Sequence, residues 1–168
     1  NYLMTWGTYD GQGLRGMRIN RDGIIIDTNF INITNIDTTA ASSAIAYDDT
    51  NYMAIWEISR YYSNWHIYIY DLFGSRVSRS GIVLDTIPID IDPDNSKTEY
   101  APAIVYSGMN YLCVWGDRSP NWESSIHIYG TRIDRAGTVL DPNKIGICIS
   151  SGEQSIPAVS FDGSNYFV

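Results

Sequence analysis

The chain has 168 residues, 44% apolar and 13% aromatic, which is enough apolar material for one packed domain. Its 13 Tyr and 5 Trp, with many Ile, Val and Thr, are the residue types that suit pleated, half-buried surfaces, so the composition leans to β. A formal net charge of −8 would repel a phosphate backbone and disfavours a nucleic-acid partner. No apolar run approaches the ~20 residues of a membrane-spanning helix, so no membrane insertion is expected. The opening Asn1-Tyr2-Leu3 has neither an initiator Met nor a basic-then-apolar leader, and the chain reads as a processed or excised soluble segment.

In chain order, the first predicted element is a strand, Asn1-Tyr2-Leu3-Met4-Thr5-Trp6. Next comes Gly16-Met17-Arg18-Ile19-Asn20-Arg21-Asp22-Gly23, a strand running into a turn with Gly at its fourth position, as type I turns prefer. Ile24-Ile25-Ile26-Asp27 reads as the returning strand, and Ala44-Ile45-Ala46-Tyr47-Asp48 as another that leads through a tight turn into Asn51-Tyr52-Met53-Ala54-Ile55-Trp56.

From there the series starts again. The Asn-Tyr phrase returns at Asn110 to Trp115 and begins at Asn165, at intervals of roughly 50–60 residues, the spacing of propeller and solenoid repeats. The Gly-x-Arg phrase returns at Gly74 to Gly81 and Gly130 to Gly137, followed by Ile82-Val83-Leu84-Asp85 and Thr138-Val139-Leu140-Asp141. The Ala-Ile-Ala-Tyr phrase returns at Ala103 to Ser107 and Ala158 to Asp162.

Each unit therefore carries strands A (Ala-Ile-Ala-Tyr), B (Asn-Tyr to Trp), C (Gly-x-Arg) and D (the apolar trio). Four-stranded antiparallel units at this period predict an all-β propeller with three blades in the chain. Residues 1–168 form one propeller segment, with repeats over 1–50, 51–109 and 110–164 and the start of a fourth at 165–168.

The repeat resembles that of bacterial, mostly secreted β-propeller proteins whose blades read Pro-Ala-Val-Ala-Tyr-Asp-Gly-x-Asn-Tyr-Leu-Val-Val-Trp. Pro157 to Tyr166 is the nearest copy, and Asn110 to Trp115 completes the phrase; the first copy departs from it with Ser43 where Pro102 and Pro157 stand later. The resemblance covers essentially the whole chain and implies a scaffold, an extracellular or cell-surface location and no catalytic signature. Three blades are too few to close a ring, so the chain is expected to be half of a six-bladed homodimer or a piece of a longer array.

Length varies mainly between B and C, from Trp6 to Gly16, Trp56 to Gly74 and Trp115 to Gly130, so the rim with these loops is the expected binding face. Its candidate ligand-binding residues are Tyr9, Glu57, Tyr61, Tyr62, Trp65, Asp117, Trp122 and Glu123, aromatic faces mixed with carboxylates that suit a glycan or a protein partner. Glu57 stands where the other units have Gly7 and Gly116. The expected function is a non-enzymatic recognition module. A glycoside hydrolase or lyase using rim carboxylates is one alternative, and purely structural blades of a larger surface protein are another.

Asp90, Asp92 and Asp94 alternate before Ser96 and Glu99 and form a weak candidate for calcium, the one cofactor considered. Arg18, Arg76 and Arg132 read as partners of Asp27, Asp85 and Asp141. A two-residue hairpin puts each pair directly opposite, whereas a type I turn with a Gly bulge puts the two on opposite faces; both remain open. His66 and His127 read as strand residues, and Cys113 and Cys148 as ordinary buried thiols, with a disulfide as the alternative.

Overall fold

The computed structural model describes residues 1–8, 11–34, 39–63, 66–93, 98–118 and 125–168, with Tyr62 and Ile67 described by their backbone alone. Among these residues every regular element is a strand, so no helix is present that could cross a membrane. The first sheet has the order β1 (Tyr2–Gly7), β2 (Leu14–Ile19), β3 (Ile31–Asn32). The second is β4 (Thr39–Tyr47), β5 (Asn51–Tyr62), β6 (Ile67–Ser78), β7 (Ile89–Asp90), and the third β8 (Thr98–Tyr106), β9 (Tyr111–Arg118), β10 (His127–Ile133), β11 (Ile145–Cys148). The short pair β12 (Ser160–Phe161) and β13 (Tyr166–Phe167) follows. All pairings are antiparallel meanders, so the fold is all-β with two four-stranded sheets.

The sheets pack face to face, which explains why β5 is apolar almost without alternation. Tyr52, Ala54, Trp56 and Ile58 lie on one face against Leu3, Leu14 and Ile33 of the first sheet. Met53 and Ile55 lie on the other against Ile104, Tyr111, Cys113 and Trp115 of the third. A strand covered on both sides has no solvent face to keep polar. Trp56 and Trp115 are both fully buried at these junctions, whereas Trp6, their counterpart in β1, is 38% exposed.

The turns match their sequence reading. Asp48 and Asp162 cap the A–B turns by accepting the backbone N–H groups of Thr50 and Asn51, and of Ser164 and Asn165. At the C–D turns the N–H of Gly23, Gly81 and Gly137 donates to the carbonyl of Asn20, Ser78 and Asp134. All three glycines have φ between 82° and 90°, as a type I turn closed by a Gly bulge requires.

Strand D differs from its expected position. The apolar trios make only single bridges, Ile19↔Ile25, Val77↔Val83 and Ile133↔Val139, and the fourth strand pairs further on, at β3, β7 and β11. The physical reason is the aspartate that follows each trio. Its carboxylate takes the backbone N–H that a strand carbonyl would otherwise accept: Arg18 to Asp27 at 2.7 Å, Arg76 to Asp85 at 2.7 Å and Arg132 to Asp141 at 2.9 Å. The chain therefore leaves the ladder at the aspartate and rejoins it at Ile31, Ile89 and Ile145.

Candidate functional site

The expected binding rim is the end where B meets C and D meets A. At this end the β5–β6 hairpin is paired without a break from Asn51↔Ser78 to Tyr62↔Ile67. The B–C connection expected to be a loop from Glu57 onward is therefore mostly strand, because Glu57 and Ile58 are still buried in β5 and Leu72 and Ile69 of β6 pair with Glu57 and Arg60. At the tip Tyr61 and Tyr68 form a direct cross-strand pair, ring centroids 5.0 Å apart, and are 52% and 54% exposed. The Tyr61 hydroxyl lies 2.9 Å from Nδ1 of His66. His66 sits in the turn with φ 53°, not in a strand, whereas His127 is in β10 as expected.

Beneath the tip, Glu57 is a strand residue and only 5% exposed. Its carboxylate accepts the backbone N–H of Ala101 at 2.5 Å, inside the bulge of β8 between Tyr100 and Ala103. Ala101 has φ 52°, a left-handed conformation that costs a non-glycine residue about 1–2 kcal/mol, so Glu57 holds a strained bulge in place. Burial raises the Glu57 carboxyl above its ordinary value, against the lowering effect of that bond and of Ser42. At the matching position of the first sheet, a Cβ on Gly7 would come within 2.0 Å of the Ala40 carbonyl oxygen, which is why a side chain is accommodated only at the second junction.

Between the second and third sheets lies a buried acidic cluster. Glu99 of β8 and Asp117 of β9 are direct cross-strand partners on one face. Asp92, which follows β7 of the neighbouring sheet, joins them, and oxygens of the three carboxyls all lie within 4.8 Å of one another. The Lys144 amine donates to Asp92 at 2.7 Å and to Asp117 at 2.6 Å, with the Tyr129 ring 5.1 Å away. Lys144 has φ 41°, so its backbone too is held in the left-handed region. Burial opposes its charge, but the bonds to Asp117 and Asp92 prevail and raise its pKa.

Glu99 is fully buried, and neither of its oxygens has a hydrogen-bond partner among the described residues. Burial first, then the negative charges of Asp92, Asp71 and Asp117, push its carboxyl up to about 10. Asp71 is buried as well, raised by burial and by Asp92 against the opposing Arg60, whose Nε is 3.0 Å away. Asp90 is raised by burial, Asp71 and Asp92.

Of the residues expected at the rim, Tyr61 is exposed there, and Glu57 and Asp117 are strand residues that face inward. The backbone of Tyr62 lies opposite Ile67. Tyr9, Trp65, Trp122, Glu123 and Asp94 lie outside the described residues. Of the expected calcium ligands, Asp92 enters a carboxylate cluster, but with Glu99 and Asp117 rather than with Asp90. Sequence reasoning named Glu99 beside the acidic run but did not join it to Asp117, and it missed Lys144 altogether. The signal was available between repeats: Glu99 and Asp117 occupy the ladder position that Ala40 and Ile58 fill in the second sheet, both in the core. Cys113 is buried and Cys148 half-buried, and both are free. Compared with protein-family models, with curated proteins and with solved structures, the chain matches none.

Proposed function

We infer that the successive sheets are blades of a β-propeller of the bacterial, secreted kind that the repeat resembles, and that the chain is a non-enzymatic recognition module whose rim binds a glycan. The observation that carries this reading is the exposed Tyr61–Tyr68 pair with His66 on a fully paired hairpin. Aromatic faces supply apolar area to a sugar ring, and the imidazole and phenol edges supply directional hydrogen bonds. A hairpin paired as far as Tyr62↔Ile67 presents them at little ordering cost. An extracellular or cell-surface setting accords with such a ligand.

A carbohydrate-active enzyme on the same rim is the weaker reading. It needs a carboxyl that touches the sugar, and Glu57, Glu99 and Asp117 are 5%, 0% and 4% exposed. A glycan array probed with the native chain and with Tyr61→Ala and Tyr68→Ala tests the recognition role. Binding by the native chain that both variants lose is the expected result; equal binding by all three removes the hairpin as the site.

Ring closure is part of the same proposal. Tyr2, Met4 and Trp6 of β1 and Phe167 of β13 are exposed apolar groups on the outer sheets, as faces awaiting a further blade would be. A second copy of the chain, giving six blades, or the remainder of a longer propeller would cover them. Light scattering on the eluting particle decides the first option: twice the chain mass of 18.9 kDa supports the six-bladed pair, and a monomer rejects it.

A further inference from the structure

We propose that Asp92, Glu99 and Asp117 form a binding site for a calcium-class divalent cation at the junction of the second and third sheets. This site is separate from the glycan-binding hairpin and does not depend on that reading.

Three observations converge. The first is distance. Calcium–oxygen bonds of about 2.3–2.6 Å place oxygens on opposite sides of the ion up to about 5 Å apart. The three carboxyl oxygens, all within 4.8 Å of one another, fit around one such ion. An all-oxygen donor set is also the one that hard cations prefer over zinc-class metals.

The second is Glu99 itself. It is 0% exposed, and among the described residues neither of its oxygens has a hydrogen-bond partner while its carboxylate joins the cluster. A buried polar group without a partner is costly, and a cation supplies the missing contact.

The third is charge placement. Glu99 and Asp117 are cross-strand neighbours, a position where like charges destabilise a sheet. Lys144 bonds to Asp92 and Asp117, while its charge reaches Glu99 only through space, with no hydrogen bond to it among the described residues. Three carboxylates, one ammonium and one divalent ion together are neutral. The second sheet keeps Ala40 and Ile58 at the equivalent ladder position, so the charges belong to this junction alone among the two four-stranded sheets.

The experiment uses the full chain stripped with chelator and titrated with calcium chloride, followed by calorimetry and thermal unfolding, with terbium as a luminescent probe sensitised by the nearby Tyr129 ring. The expected result is saturable binding, a rise in Tm with calcium and terbium emission displaced by calcium. Glu99→Gln should bind at least about tenfold more weakly, since one of three charged ligands is lost, while its calcium-free form is at least as stable as the native one. Asp162→Asn, a surface acid in an A–B turn, should bind as the native chain does. Should Glu99→Gln fail to fold, Asp92→Asn takes its place. The proposal is overturned by native protein that shows neither heat nor a Tm shift at about 10 mM calcium, well above the weakest calcium modules. It is equally overturned by Glu99→Gln binding calcium as tightly as the native chain.

Discussion

The carboxylate of Asp27 grips Arg18 at three nitrogens, taking its backbone N–H at 2.7 Å, its Nε at 3.0 Å and its Nη2 at 2.5 Å. In the type I turn with its Gly bulge the two residues are not directly opposite, since Ile25 is the partner of Ile19. The pair forms because Asp27 is where the chain leaves the ladder. Arg76–Asp85 and Arg132–Asp141 repeat it.

This pair makes the fold acid-sensitive. The Arg18 side-chain bond lowers the Asp27 carboxyl below its ordinary 3.8, and the Arg132 bond does the same for Asp141. A depressed folded-state value stabilises above the unfolded value and is lost as pH falls through the folded one. Asp27→Ala should cost about 1–3 kcal/mol at neutral pH, and the gap to the native chain should close as pH drops below about 4, measured by urea unfolding across that range.

The C–D glycines should not be equivalent. Gly23 has φ 82°, and a Cβ added there would meet nothing within 4 Å, so Gly23→Ala should cost only the conformational term of about 1–2 kcal/mol. Gly137 has φ 90°, and its Cβ would meet Ile89 Cδ1 at 2.8 Å, which adds about 1–3 kcal/mol of overpacking. Thermal unfolding of the two single variants should show the larger drop in Tm for Gly137→Ala.

Glu57 should separate its roles as acceptor and as charge. Glu57→Gln keeps an oxygen for the Ala101 N–H, whereas Glu57→Ala leaves that N–H without its partner and should be the less stable of the two by about 1–3 kcal/mol. Denaturant midpoints of the pair measure this directly; equal midpoints would mean that the bulge stands without Glu57.

The two thiols should differ in reactivity. Cys113 is fully buried and its thiol is pushed up by burial, so a thiol reagent should reach it only on unfolding. Cys148, half-buried at the end of β11, should react in the native chain, giving one fast and one slow equivalent.

Much of the fold was legible because repetition multiplies weak signals. One Asn-Tyr-x-x-x-Trp phrase says little, but its recurrence beside the Gly-x-Arg and Asp-bearing turns defines strands A, B and C and both turn types. The end of strand B was not legible, since Glu57 and Arg60 look like loop residues until Leu72 and Ile69 are known to pair with them. The displaced strand D was hidden because a carboxylate standing in for a backbone carbonyl leaves no trace in hydrophobic pattern. The acidic cluster was scattered over β8, β9 and the segments beside β7 and β11, and only the contrast of Glu99 and Asp117 with Ala40 and Ile58 could have revealed it.

The arginines have one further reach. Arg18 donates through Nη1 to the carbonyl of Arg79 in the second sheet's turn, and Arg76 does the same to Arg135 in the third's. Each latch faces the same way along the chain, so a sheet presents a hook on one side and an eye on the other. Such an array has a direction: a further unit added in the same sense continues the row of latches, while loss of one latch leaves the apolar junction beside it in place.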